Sequence, residues 1–228
     1  MPEKIKWFSI DDIGAKLGVE TKDLVIPTGE VIKQPNWTKK DFEEGLKDVE
    51  ALTDETVTYS VTNNHDPWLL VGFAYALKQK FGKNPHYQYP APPTPQLAGW
   101  DIDLSPLHVG QQENNYDVVY QVIEDGDNIY LNLNSDDPNA DMSKFSGPHT
   151  FDPDNLDKVL IPELPKGKHI YFHAKGMFCV MVRVAMSYAD DCRSLSIAAH
   201  DDDYTCCVSH CDEIQPGDVT RRTIPNNL

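Results

Sequence analysis

The sequence has few residues of positive charge and lacks long apolar runs. No stretch of its 228 residues reaches the ~18 consecutive apolar side chains of a membrane span. Its first residues lack the basic start and apolar centre of a secretion signal, so a cytoplasmic location is expected. Its 20 basic residues stand against 36 acidic ones, a formal net charge of -16. Because duplex nucleic acid is bound through cations that displace counterions, this balance argues against a nonspecific DNA or RNA surface. Acidity that keeps the protein soluble explains the charge, and a small anionic ligand held by backbone amides stays open.

Cysteine is absent until Cys179, and all five cysteines lie in the last quarter of the chain. Such a cluster predicts reduced thiols rather than a disulfide framework. Zinc is the alternative, because His200 and His210 are close to three of the cysteines in sequence. The paired C-x-x-C spacing of zinc sites is lacking, and alternation along a strand over 204–211 puts successive cysteines on opposite faces. Buried small thiols are therefore favoured.

A short pattern occurs in both halves of the chain. Each copy has an aromatic residue leading an acidic helix start, then an alternating strand, a turn, and a helix that is apolar nearly all round. These parts are Trp37, 56–62 and 67–81 in the first half, and Phe151, 169–174 and 177–188 in the second. A helix without a polar face must be covered on more than one side, so each helix is expected to pack on its own sheet and on the other helix.

The repeat predicts an α/β protein made of two tandem ferredoxin-like or CARF-like small domains with mixed sheets, packed as a pseudo-dimer. A diverged N-terminal domain is expected over residues 1–110, and a second domain over 111–228. The functional site is expected where they meet. Residues 84–95, which are rich in proline, are expected to be a linker or a loop over the site.

Local signals predict where several elements begin and end. Thr38 is expected to cap a helix with Asp41 as the acidic partner of a capping box. Asp66 is expected to cap the helix that starts at Pro67. Strands are expected at 116–120 and 128–133, joined as a hairpin, and at 195–200 and 204–211, joined by the acidic turn 201–203.

The densest polar group combines His200 and Asp201 with His210 and, on the preceding strand, His173. Imidazoles and carboxylates at strand ends suit a divalent metal such as manganese, or the acid and base of phosphoryl chemistry. The alternative is a solvated acidic turn beside half-buried histidines.

Two helix starts after strands form a second candidate, at His65 and Asp66 and at Lys175 and Gly176. A helix N-terminus offers unpaired amides and partial positive charge, and it can therefore bind an anion even in an acidic protein. Neither turn has the glycine spacing of a nucleotide loop, so ordinary capped turns are the alternative. No Ser-His-Asp or Cys-His arrangement follows from the spacing.

Residues 160–174, the apolar helix after them, the strands that end at His210, and the turn 216–219 together resemble a small CRISPR-associated ring nuclease family. Residues 124–127 and 151–156 fit the start of that domain, and the Pro67-Trp68 helix start is similar to the family's own in the first half. The resemblance implies short α/β domains from type III CRISPR loci that act as dimers on cyclic tetra-adenylate with manganese. Here the homodimer of the family would be replaced by a pseudo-dimer within one chain, although a homodimer stays open.

Carried over to this sequence, the resemblance implies proton transfer by His210 or His200, and manganese bound by Asp201 and His210. The ligand would contact His65, Asp66, His173, Lys175 and Gly176. If the chain is an enzyme, the implied activity is a metal-dependent phosphodiesterase in which a ribose 2′-hydroxyl attacks its neighbouring phosphorus. Asp203 stands where the family has an arginine, which leaves a non-catalytic binding or structural subunit of a defence complex as the alternative. An unrelated α/β domain is a third interpretation.

Overall fold

The computed structural model describes residues 4–25, 31–62, 66–88, 101–111, 118–134, 153–175, 178–200 and 203–222. The chain divides into two compact units, Met1–Asp103 and Leu104–Leu228, called unit 1 and unit 2 below. Both units are of the α/β class with mixed parallel and antiparallel pairing, which confirms the predicted fold class at that level. Among the described residues, no helix is long and apolar enough to span a membrane.

Unit 1 contains three helices and six strands in its described parts. The strands are β1 (Ile5–Ser9), β2 (Thr21–Val25), β3 (Val31–Pro35), β4 (Thr58–Thr62), β5 (His86–Gln88) and β6 (Asp101–Asp103). The helices are α1 (Ile10–Leu17), α2 (Lys39–Ala51) and α3 (Pro67–Phe81). The main sheet has the order β1-β4-β5-β6, with the first three strands parallel and β6 antiparallel, and β2 and β3 form a separate antiparallel pair.

One face of the unit 1 sheet carries the core. Phe8, Val61 and Tyr87 lie in one row across β1, β4 and β5, and all are buried. Phe73 of α3 packs against Phe8 with ring centroids 5.7 Å apart, so α3 covers this face. The other face carries the alternate residues of the same strands, because side chains alternate along a strand.

The helix ends of unit 1 follow the predicted capping signals, with one exception. Thr38 accepts a hydrogen bond from the amide of Asp41 at 3.2 Å, and the Thr38 amide donates to the Asp41 carboxylate at 2.9 Å, which confirms the capping box. Helix α3 begins at Pro67, as predicted. Asp66 is the N-cap residue by position, but its side chain makes no capping hydrogen bond, so that part of the prediction is wrong.

Unit 2 contains one α-helix and eight strands in its described parts, together with a 3-10 helix at Pro153–Lys158. The strands are β7 (His108–Val109), β8 (Val119–Asp125), β9 (Asn128–Asn134), β10 (Leu160–Ile161), β11 (His169–Lys175), β12 (Ser194–His200), β13 (Asp203–Ser209) and β14 (Val219–Arg221), and the helix is α4 (Phe178–Tyr188). The short strand β7 lies near the end of the predicted first domain, residues 1–110, and it pairs with β10 of unit 2.

The main sheet of unit 2 has the order β14-β13-β12-β11-β9-β8. Strands β9, β11 and β12 are parallel, and β8, β13 and β14 run antiparallel to their neighbours. Three tyrosines, Tyr130, Tyr171 and Tyr204, form a buried cluster across this sheet. Ring centroids of Tyr130 and Tyr171 are 5.4 Å apart, and the Arg222 guanidinium lies 5.2 Å from the Tyr171 ring centre.

The two sheets share one arrangement of four strands. In unit 1 the parallel strands β1, β4 and β5 are followed by antiparallel β6, and in unit 2 the parallel strands β9, β11 and β12 are followed by antiparallel β13. In both units an apolar helix, α3 or α4, follows the second of these strands along the chain. The repeated sequence pattern therefore corresponds to a repeated topology, while the predicted pseudo-dimer packing stays a prediction.

Strict alternation fails in β13, where a bulge interrupts the pairing. Leu195 pairs with Val208 but Ser196 pairs with Cys206, so Cys207 is an extra residue on β13. Its thiol donates to the Leu195 carbonyl at 3.2 Å, and Cys206, Cys207 and Val208 are all buried. The strict alternation that was expected over residues 204–211 is therefore interrupted at Cys207, since a bulge breaks the period of two.

Candidate functional site

Three parallel strands of unit 2 end side by side, and two predicted site residues lie at these ends. Lys175, the last residue of β11, pairs with Asn134, the last residue of β9. β12 runs parallel to β11, with Phe172 paired to Ile197, and it ends at His200. Helix α4 begins at Phe178, shortly after β11 ends. We call this set of strand ends, Asn134, Lys175 and His200, the carboxyl edge of unit 2.

His173 lies close to this edge, two residues before the end of β11. It pairs with Asn132 of β9 and is half-buried. The Asn132 amide donates to the Gln121 side chain at 3.1 Å, so polar groups continue across the neighbouring strands. The structure therefore brings His173, Lys175 and His200 to one end of one sheet.

Other predicted residues cannot be placed at this edge. His65, Gly176 and Asp201 lie outside the described residues. Asp66 belongs to unit 1, where it is half-buried and its carbonyl accepts from the Leu70 amide at 3.2 Å.

His210 lies at the far end of the β12–β13 hairpin from His200. Ser194 pairs with Ser209 at one end of the hairpin, whereas His200 pairs with Asp203 at the other. At ~3.3 Å per residue, β12 separates these ends by about 20 Å. His210 also has a structural partner, because its Nε2 lies 2.8 Å from the Ala189 carbonyl and its amide donates to the Arg193 carbonyl at 2.9 Å.

The predicted manganese ligands are His210 and Asp201. Metal ligands must lie within a few ångströms of one ion, and Asp201 lies outside the described residues. Within the described ranges, no group of three or more histidine, cysteine, aspartate or glutamate residues is arranged to hold a metal. The combination of His210 with Asp201 therefore stays a prediction, whereas His210 and His200 lie at opposite ends of the hairpin.

The same geometry predicts that His210 stabilises the fold. His210→Ala removes the donor to the Ala189 carbonyl, and we expect the free energy of unfolding to fall by about 0.5 to 1.5 kcal/mol. Urea unfolding of unit 2 measures this change, with His210→Gln as the control that retains a side-chain donor. Unchanged stability together with loss of ligand turnover would return His210 to the functional site.

The opposite edge of the unit 2 sheet is closed by ion pairs and hydrogen bonds. Lys168 pairs with Asp127 at 2.8 Å, and this hydrogen bond lowers the pKa of the Asp127 carboxyl. His169 Nδ1 lies 2.7 Å from the Ser194 hydroxyl. Burial, with a smaller contribution from Arg193, lowers the pKa of His169 and favours the neutral imidazole. These interactions hold the strands together at this edge, and they engage the side chains of Lys168, Asp127, His169 and Ser194.

The cysteines of unit 2 behave as buried thiols. None forms a disulfide, and four of the five are buried. Burial raises the pKa of Cys179 to about 11 and that of Cys192 and Cys206 to about 12. Because the thiolate is the nucleophile and the metal ligand, these groups are poorly suited to either task near neutral pH.

A polar group in unit 1 was missed by the sequence analysis. Asp101 of β6 accepts from the Ser60 hydroxyl at 2.9 Å, and its second oxygen lies 2.6 Å from His86 Nδ1. Ser60 is buried, and the side chains of His86 and Asp101 are 17% and 28% exposed. The residues come from three different strands, so no local spacing marked them. The alternation of Asp101, Ile102 and Asp103 was the one sequence signal that could have indicated β6.

The comparisons with known proteins add no family. No protein-family model matches the sequence, and no curated protein matches it either.

Proposed function

We propose that the chain is a CRISPR-associated protein of type III antiviral defence that binds a cyclic oligoadenylate at the carboxyl edge of unit 2. The observation that carries the proposal is that three neighbouring parallel strands end at Asn134, Lys175 and His200, with Lys175 paired to Asn134. In open α/β sheets, ligands bind outside the carboxyl ends of the strands. The sequence resemblance supplies the ligand class, and a cytoplasmic location and a pseudo-dimer within one chain belong to the same proposal.

Charge limits how this protein can hold phosphates. With a net charge of -16 it has no excess of cations to spread over a ligand, so a few well-placed donors must suffice. Amides at the start of α4 and the Lys175 ammonium are such donors, because a helix N-terminus carries unpaired N–H groups and partial positive charge. A small cyclic oligonucleotide fits this kind of site better than duplex nucleic acid does.

The proposed activity is binding of the cyclic oligoadenylate, and cleavage is its possible second part. Cleavage through manganese would need His210 and Asp201 at one ion, and Asp201 lies outside the described residues. If cleavage occurs, His200 is the predicted proton acceptor at the carboxyl edge. The alternative role is a non-catalytic binding or structural subunit of a defence complex.

Lys175→Ala tests the proposal. A hydrogen bond to a charged group contributes about 1.5 to 3 kcal/mol, so we expect the dissociation constant for cyclic tetra-adenylate to rise roughly 10- to 100-fold. Isothermal titration calorimetry measures it. Lys168→Ala is the matched control, because Lys168 directly precedes β11 at the other edge of the sheet.

Three outcomes separate the interpretations. Binding that depends on Lys175 and not on Lys168 supports the site, and linear product from labelled ligand with manganese would add cleavage. Binding without product supports a sensor. Absence of binding to cyclic tri-, tetra- and hexa-adenylate by the wild-type protein would refute the proposed function.

A further inference from the structure

We infer that the outer edge of β1 in unit 1 binds an extended, acidic segment of a partner protein, which adds a strand to the sheet. Strand β1 stands at one end of the order β1-β4-β5-β6, and no further strand pairs with it within the part of the chain that the structure describes. A peptide bound to such an edge gains affinity from main-chain hydrogen bonds and specificity from its alternate side chains. The main chain, the apolar side chains and the charges of β1 each indicate one property of the partner.

The main chain of β1 favours an extended partner. The Thr58 amide donates to the Lys4 carbonyl at 2.9 Å, so the main-chain groups of Lys4 face β4. Because main-chain groups of a parallel strand face its two neighbours alternately, those of Ile5 and Trp7 face away from the sheet. Such a row of outward amides and carbonyls is a template for pairing with another strand.

Ile5 and Trp7, called the apolar pair below, give this edge an exposed apolar side. Their side chains are 41% and 67% exposed, and they lie on one face because they are two residues apart. On the opposite face Phe8 packs against Phe73 with ring centroids 5.7 Å apart, which fixes the orientation of the strand. Tryptophan is enriched among the residues that dominate binding energies at interfaces. The partner is therefore expected to place apolar side chains beside the apolar pair.

Two lysines of this edge indicate the charge of the partner. Lys4 and Lys6 are exposed and alternate with the apolar pair, so they lie on the other face of the strand. Hydrogen bonds from Thr56, with a smaller contribution from these lysines, lower the pKa of Asp54. In a chain of net charge -16, an edge whose exposed charged side chains are lysines is complementary to an acidic segment.

The same lysines argue against a second copy of β1 as the occupant. An antiparallel pair of two β1 strands that covers both apolar pairs sets Ile5 of one copy opposite Trp7 of the other. Lys6 then lies opposite Lys6, and like charges directly opposite each other destabilise a strand pair. A partner strand that alternates apolar and acidic side chains avoids this repulsion and places an acidic residue beside Lys6.

Titration with a short capped peptide of alternating valine and glutamate tests the inference, and a peptide of alternating valine and lysine is the matched control. In nuclear magnetic resonance spectra the glutamate peptide should shift the Trp7 indole N–H, assigned with Trp7→Phe, and the Ile5 amide. Trp7→Ala should weaken binding roughly 5- to 30-fold. Lys6→Glu should weaken it about 2- to 30-fold and should make the lysine peptide the tighter ligand. Val219→Ala should leave binding unchanged, because Val219 is an exposed residue of another edge strand, β14.

Ile5→Pro tests the main-chain contacts separately. Proline removes the outward amide of Ile5, and edge strands tolerate proline at such a position. Binding should be lost while urea unfolding shows that unit 1 is still folded. Wild-type affinity in Ile5→Pro would overturn the added strand.

An unshifted Trp7 signal with the glutamate peptide overturns the inference, as does equal affinity for the two peptides or a preference that Lys6→Glu leaves unreversed. A Trp7 signal that shifts with protein concentration in the absence of peptide would assign the edge to a second copy and overturn the choice of partner. The inference does not rest on the proposed function, and Lys175→Ala should leave peptide binding unchanged.

Discussion

Replacing Phe73 by alanine is expected to lower the free energy of unfolding of unit 1 by about 3 to 5 kcal/mol. The Phe73 side chain is fully buried in α3. Its ring lies 5.7 Å from that of Phe8, 5.9 Å from that of Trp37 and 5.0 Å from that of Phe42. Removing it therefore opens a cavity among three aromatic side chains that come from a strand, a loop and a second helix.

The groups around Phe73 are held so closely that they cannot easily move in to fill the cavity left by Phe73→Ala. A Cβ atom added at Gly45 of α2 would lie 2.8 Å from Phe73 Cζ, so the ring rests directly on the helix at a position that only glycine leaves open. Urea unfolding followed by tryptophan fluorescence measures the change. Trp7→Ala is the control, since a 67% exposed aromatic side chain should contribute within about 0.5 kcal/mol. A loss below about 1 kcal/mol in Phe73→Ala would show that the core repacks and would contradict the prediction.

Arg183→Ala has the second largest expected effect, a loss of about 2 to 4 kcal/mol in unit 2. Arg183 lies on the otherwise apolar helix α4 with its side chain 8% exposed. Its Nε donates to the Ser105 carbonyl at 2.9 Å, and Nη1 pairs with the Asp157 carboxylate at 2.5 Å. Alanine removes both interactions and the packed aliphatic stem.

Substitution of Asp157 distinguishes the contribution of the ion pair from that of the hydrogen bond to the Ser105 carbonyl. Asp157 is 80% exposed, and an ion pair with an exposed partner is worth about 0 to 1 kcal/mol. We therefore expect Asp157→Asn to cost less than about 1 kcal/mol, because the buried bond to the Ser105 carbonyl remains. Denaturant unfolding of Arg183→Ala and of Asp157→Asn measures the two losses in the free energy of unfolding. Equal losses would assign the stabilisation to the ion pair.

Local chemistry made much of the fold predictable. The capping box of Thr38 and Asp41 and the proline at Pro67 placed the starts of α2 and α3, since caps act within one turn of chain. Long alternating or apolar segments similarly identified β4, β9, β11 and β12. These features depend on neighbours in sequence, which a single sequence displays.

The strands that the sequence patterns did not predict depend on pairing partners far along the chain. Strands β1, β5 and β6 are short, and each exists because it pairs with another strand of unit 1. The contact between His86 and Asp101 spans the proline-rich segment and follows only from that pairing. The grouping of His210 with His200 failed for a related reason. His200 precedes β13 and His210 follows it, so the two residues lie at opposite ends of the hairpin.

The repeated four-strand arrangement has a consequence for how this protein can change. When two identical subunits assemble, every substitution appears in both, so neither copy can acquire a feature that the other must lack. A gene that encodes both copies in tandem removes this constraint, and one half can gain or lose side chains while the other stays as it is. If the two units are such copies, Trp7, Ser60 and His86 on one sheet and Lys175 and His200 on the other are side chains that each half acquired or kept by itself.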